Sequence, residues 1–149
     1  MSQEKYKVTK KIEFDYGHRV PFHQSKCFNT HGHRGVVEVT LEGKLVDIHG
    51  DNDFGMVMDF SRIKEAMLIC IHDVYDHKFL LWKDDPLFEK YKDLPGVVVI
   101  DFVPTAENLA RKCFWSLRMH LKKLKFEATV TSVRFYETPS SFSEYSMEQ

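Results

Sequence analysis

The sequence predicts an α+β domain: an antiparallel β-sheet with two helices packed on one face. Three observations predict it. Residues 6–18 alternate polar and apolar side chains with a period of two, residues 31–42 do so again, and two later segments repeat apolar residues every three to four positions. The order is hairpin, helix, long loop, helix, strand, which is an α+β pattern.

In the first strand the even positions carry Tyr6, Val8, Lys10, Ile12, Phe14, Tyr16 and His18, so the apolar face ends on an imidazole. Residues 19–30 hold Pro21 and several polar side chains and read as a loop. In the next strand the inward set is His31, His33, Gly35, Val37, Val39 and Leu41. Gly50–Gly55 is a turn cluster. Phe60, Ile63, Met67, Cys70 and Val74 then form the stripe of an amphipathic helix, with Asp59 or Ser61 as its cap. Residues 78–95 read as a charged loop with a helical turn near Leu87–Tyr91, followed by a short strand over Val97–Ile100. Thr105 is placed to cap a second helix, whose stripe is Leu109, Cys113, Leu117, Leu121 and Leu124. The last strand runs from about Thr129 to Glu137, and the tail beyond Thr138-Pro139 is expected to fray.

A chain of 149 residues is expected to form a single domain over 1–149, and 43% hydrophobic residues with twelve Phe can fill a core. A net charge of -1 with interspersed signs argues against a nucleic-acid partner. No run is long enough to cross a membrane, and no apolar leader follows Met1. Three cysteines, an odd number without paired spacing, predict a reducing cytoplasmic compartment.

If the first two strands form a hairpin, His18 meets His31 and His33 on the inner face. Gly32 between them would let another backbone come close. Three converging imidazoles repel one another when charged, and Zn2+ removes that conflict while leaving a fourth position open. A rival is a closed site that adds Cys27, which would make the chain a non-catalytic zinc-stabilised binding module. Cys27 is a reactive thiolate beside Lys26 or a free surface thiol. His23 has no periodic reason to point inward. His49, His72 and His120 read as surface or satisfied histidines, and Cys70 and Cys113 as packing residues. Asp76-His77 is a helix end or a carboxylate orienting a proton carrier. Adjacent residues do not normally bond face to face, which makes that pair a weak signal alone. Glu137 is solvent-facing or accepts paired N–H groups of a planar heterocycle.

Taken together and in this order, six segments are specific. They are Phe14-Asp15-Tyr16-Gly17-His18, Cys27-x-x-x-His31-Gly32-His33, Gly55–Phe60, Asp76-His77, Pro104–Asn108 and Tyr136-Glu137-Thr138. With them the chain resembles the 6-pyruvoyl-tetrahydropterin synthase family, and the short Cys27–His31 spacer and the Glu137–Ser141 ending with Tyr145 resemble its queuosine-pathway branch. The resemblance implies a tunnelling (T-) fold whose subunits assemble into a barrel, a homohexamer with active sites at subunit interfaces. It implies zinc on His18, His31 and His33, Cys27 as base, Asp76 and His77 as proton relay, and Glu137 as pterin anchor. It implies that Thr105 and Glu107 border the pterin pocket from a neighbouring subunit. The implied reaction converts 7,8-dihydroneopterin triphosphate to 6-carboxy-5,6,7,8-tetrahydropterin, releasing acetaldehyde and triphosphate. The alternative is triphosphate elimination to 6-pyruvoyl-tetrahydropterin. Lys26 and Arg34 are candidate triphosphate contacts by proximity in sequence. The chain departs from the family pattern at Tyr16-Gly17, where two small residues are usual, at Arg34-Gly35, where Asn and an aromatic are usual, and at Tyr75 in place of Leu.

Overall fold

The computed structural model describes residues 4–148. In chain order the main elements are β1 (Tyr6–His18), β2 (His31–Gly43), α1 (Phe60–Met67), a π-helical stretch (Leu68–His72), α2 (Asp73–Tyr75), β3 (Lys78–Trp82), α3 (Phe88–Tyr91), β4 (Val97–Ile100), α4 (Ala106–Lys123), β5 (Thr129–Thr138) and β6 (Ser141–Ser146). The six strands form one sheet in the order β4-β3-β1-β2-β5-β6. β1 and β2 pair antiparallel along their whole length, from Tyr6 opposite Gly43 to His18 opposite His31.

The sheet is mixed, which corrects the antiparallel expectation: β3 runs parallel to β1, and β4 runs parallel to β3. β3 lies in the stretch read as loop. Lys78-Phe79-Leu80-Leu81-Trp82 has no period-two alternation because a parallel strand is covered on both sides. The tail also forms a strand instead of fraying. β6 pairs with β5, with Arg134 Nε donating to Glu144 at 2.9 Å and the Tyr145 ring 5.0 Å from Phe114. Its Ser and Glu content hid a strand at the sheet edge.

One face of the sheet carries Ile12, Phe14, Val37, Val39, Leu41, Val133 and Phe135, all buried, and the helices cover it. Burying each such side chain is worth roughly 1.5–3 kcal/mol. Asp59 caps α1, accepting from the Ser61 N–H at 2.7 Å, and Thr105 caps α4, accepting from the Asn108 N–H at 3.3 Å. The predicted stripe of the first helix holds at Ile63 and Met67 and then changes. The π-helical stretch adds a residue to one turn, so the buried side is continued by Ile71 and Tyr75, and Val74 is left 40% exposed. Phe60 and Leu124, at the outer ends of the two stripes, are also exposed.

Tyr16 and Gly35 share one space. A Cβ at Gly35 would lie 2.9 Å from Tyr16 Cε1, so the Tyr16 ring occupies the space above Gly35.

Candidate active site

The β1–β2 register determines the centre. His18 stands opposite His31 and Tyr16 opposite His33, with Gly17 and Gly32 paired between them. A Cβ on Gly32 would come 3.0 Å from the Tyr16 carbonyl oxygen, so the close approach expected of Gly32 is used by β1 itself. One nitrogen from each of the three imidazoles lies within 4.8 Å of the others. His18 Nδ1 donates to the Pro104 carbonyl at 2.6 Å and His31 Nδ1 to the Asn29 carbonyl at 2.7 Å. A carbonyl accepts only, so these rings carry their proton on Nδ1 and keep the Nε2 lone pair free. Nε2 of His18 and of His33 is buried without a hydrogen-bond partner among the described residues. A buried bare lone pair is costly unless something binds it, so this donor set fits a zinc ion.

Electrostatics favour the neutral, ligating form. Burial, reinforced by His31 and His33, lowers His18 to about 4. Burial and then His31 also lower His33. Tyr16, packed edge-on to His18 at 5.2 Å, has its phenol pushed far above the usual value, by burial first and then by the charge of Glu137.

His18 faces a cleft of about 460 Å³ that also takes in Cys27, Thr105, Glu107 and Glu137. Four of the predicted residues thus join the first histidine on one chain. Thr105 and Glu107 border this cleft on the same chain. Glu137 sits where the β5–β6 register shifts between Tyr136 and Thr138. Such a bulge re-aims a side chain. Its carboxylate lies 3.8 Å from His18 Nε2, and burial, followed by the charge of Glu107, raises its pKa. Cys27 is half-buried in a 3₁₀ turn over Lys26–Phe28. His23 reaches the same cleft, its Nδ1 accepting from the Ser25 N–H at 3.2 Å.

Asp76 and His77 are elsewhere. His77 lines a second recess of about 690 Å³ with His31, His33, Arg34 and Lys78, and Cys27 is not part of it. The two adjacent side chains do bond, His77 Nδ1 to Asp76 Oδ2 at 2.8 Å, because His77 takes the left-handed backbone conformation at φ 57°. A non-glycine residue there is strained, a feature that gathers at functional sites. The bond to His77 holds Asp76 below the usual carboxylate range. Arg34 reaches the recess but is paired with Glu13 and Asp15, each at 3.1 Å, and Lys26 lines neither recess. Lys78 is a basic side chain of this recess that the loop reading of 78–95 missed. Ser141 and Ser143, which line the cleft from β6, were missed for the same kind of reason.

The model of the 6-pyruvoyl tetrahydropterin synthase family matches residues 7–148. A curated relative from Rickettsia bellii, named 6-carboxy-5,6,7,8-tetrahydropterin synthase, is 36% identical over 93% of this chain and 98% of its own. Among solved structures, an uncharacterized protein from Wolinella succinogenes superposes with a TM-score of 0.81 at 28% identity, covering 98% of this chain and 100% of its own. The 6-pyruvoyl tetrahydropterin synthase of Caenorhabditis elegans superposes with a TM-score of 0.69 at 25% identity, covering 99% of each chain. With its sheet order, its trio of imidazoles and these likenesses, the chain belongs to the 6-pyruvoyl tetrahydropterin synthase family.

Proposed function

We propose that this chain is a zinc-dependent lyase that converts 7,8-dihydroneopterin triphosphate and one water to 6-carboxy-5,6,7,8-tetrahydropterin, acetaldehyde and triphosphate, a step of queuosine biosynthesis. The observation that supports it is a cluster of three histidines whose first member, His18, shares one cleft with a half-buried thiol and a desolvated carboxylate, in a chain with curated relatives that carry that enzyme's name.

His18, His31 and His33 would hold the zinc, whose Lewis acidity would polarise the substrate's side-chain oxygens. Cys27, as thiolate, takes a proton from the adjacent side-chain carbon. Glu137 accepts the paired N–H groups of the pterin ring, and Thr105 and Glu107 border that ring from the start of α4. This anchoring keeps the reacting carbons beside Cys27 and the histidines. His77, oriented by Asp76, carries protons to and from the substrate oxygens. Since His77 and Cys27 line different recesses, a second copy of the chain would bring its own Asp76–His77 pair to the cleft. That need supports an assembly with active sites at subunit interfaces, a homohexamer of one-domain subunits. A reducing cytoplasm suits a centre that requires a free thiol.

The test is to incubate zinc-loaded protein with 7,8-dihydroneopterin triphosphate and identify every product by mass. Acetaldehyde with 6-carboxy-5,6,7,8-tetrahydropterin is the expected result. Triphosphate with 6-pyruvoyl-tetrahydropterin and no acetaldehyde assigns the biopterin-type reaction instead. No product at all would leave a zinc-stabilised binding module.

A further inference from the structure

Arg19 and Asp85 form a buried ion pair that the chemistry above does not use. Their side chains are 3% and 1% exposed, and Arg19 Nε donates to Asp85 Oδ2 at 2.8 Å. Arg19 comes directly after His18, at the point where β1 ends. Asp85 lies in the turn after β3, anchored by its own N–H to the Trp82 carbonyl at 3.0 Å. Its second oxygen accepts from the Leu87 N–H at 2.8 Å. One end of the pair is therefore fixed to the sheet.

The other end reaches the thiol's turn. Arg19 Nη1 donates to the Phe28 carbonyl at 3.1 Å, and the guanidinium carbon stands 4.7 Å from the centre of the Phe28 ring. The Val20 N–H donates to the Cys27 carbonyl at 2.9 Å. Two successive carbonyls, of Cys27 and Phe28, are thus tied to two successive residues, Val20 and Arg19. The loop over residues 19–30 contains no strand or α-helix to hold the thiol in place. A planar guanidinium can bond a carboxylate, bond a carbonyl and stack on a ring at once, which an ammonium cannot do.

We infer that Arg19, braced by Asp85, is a positioning residue that holds the Cys27 thiol at the cleft. The inference rests on the role given to Cys27 in the proposed reaction. Removing one member of a buried pair leaves an unpaired charge and endangers folding, whereas removing both charges together does not. The informative protein is therefore the double variant Arg19→Met/Asp85→Asn, whose introduced amide oxygen can still accept from the Leu87 N–H. Arg19→Lys is a second variant.

Two measurements test it on the zinc-loaded protein. The first is the alkylation rate of Cys27 by iodoacetamide, read by mass on the Cys27 peptide, so that Cys70 and Cys113 do not contribute. The second is turnover of the triphosphate substrate. In the double variant the alkylation rate is expected to change several-fold. The value of kcat should fall about tenfold or more with KM little altered, the signature of a misplaced group. Arg19→Lys should fall between the double variant and the wild type. An unchanged alkylation rate in both variants, or a kcat within twofold of wild type, overturns the inference. If the wild-type protein does not turn the substrate over, the proposed reaction fails, and the alkylation rate still decides whether the clamp holds the thiol.

Discussion

The histidines and the thiol are held in different ways. His18, His31 and His33 stand at the end of a long antiparallel ladder, so their relative placement follows from a register that every rung reinforces. Cys27 sits in a loop without a ladder, where a few side-chain and turn bonds replace the strand. Moving the histidines would require the sheet to slip, while moving the thiol requires only the loss of a few local contacts. A histidine cluster built on strands and a thiol built on a loop should therefore respond differently to substitution.

The largest separation of the two should come from paired truncations. His18→Ala is expected to lose both zinc, measured by elemental analysis, and turnover. Cys27→Ala is expected to keep zinc and lose turnover by about 10²–10⁴-fold, the usual contribution of a proton-transferring group. Equal zinc loss in both proteins would mean that the thiol is a ligand and would erase the distinction.

A smaller effect is expected from acid, and it should fall on the histidine side. His18 titrates near 4 in the folded protein and near the ordinary 6.5 when unfolded. Between those values the unfolded chain binds the extra proton, so metal-free protein should lose stability as pH falls from about 6.5 to about 4. The contribution is about 3 kcal/mol. Denaturant melts across that range check it, and His18→Gln, which cannot titrate, should show a flatter dependence.

The smallest effect tests the ground beneath the histidines. Gly35→Ala should cost about 1–3 kcal/mol, because its Cβ would crowd the Tyr16 ring at 2.9 Å. Pairing it with Tyr16→Ala should make the two changes less than additive in thermal melts. Additive costs would show that the ring and the glycine do not share one space.

The same contrast explains what could be read in advance. Alternation through Phe14, Tyr16 and His18, and through His33, Val37 and Leu41, carries the register, and with it the histidine cluster, because each strand has one buried face. The caps Asp59 and Thr105 are legible because their side chains act within three residues. Non-local placements are not. Lys78–Trp82 lacks alternation because it is a parallel strand. The π-helical turn that contains Ile71 leaves no mark in the residue types, so the sequence places Val74 in the core. The partition of Cys27 and His77 between two recesses depends on where loops fold back, and the bond between Asp76 and His77 depends on one positive φ.

The 2.6 Å bond from His18 to the Pro104 carbonyl joins the histidine cluster to the peptide just ahead of the Thr105 cap. Any tilt of that ring must therefore break the tether or drag the mouth of α4, with Glu107 aboard, in the same direction. The imidazole and the helix entrance behave as a single mechanical part, so distortion applied at either one is felt at the other.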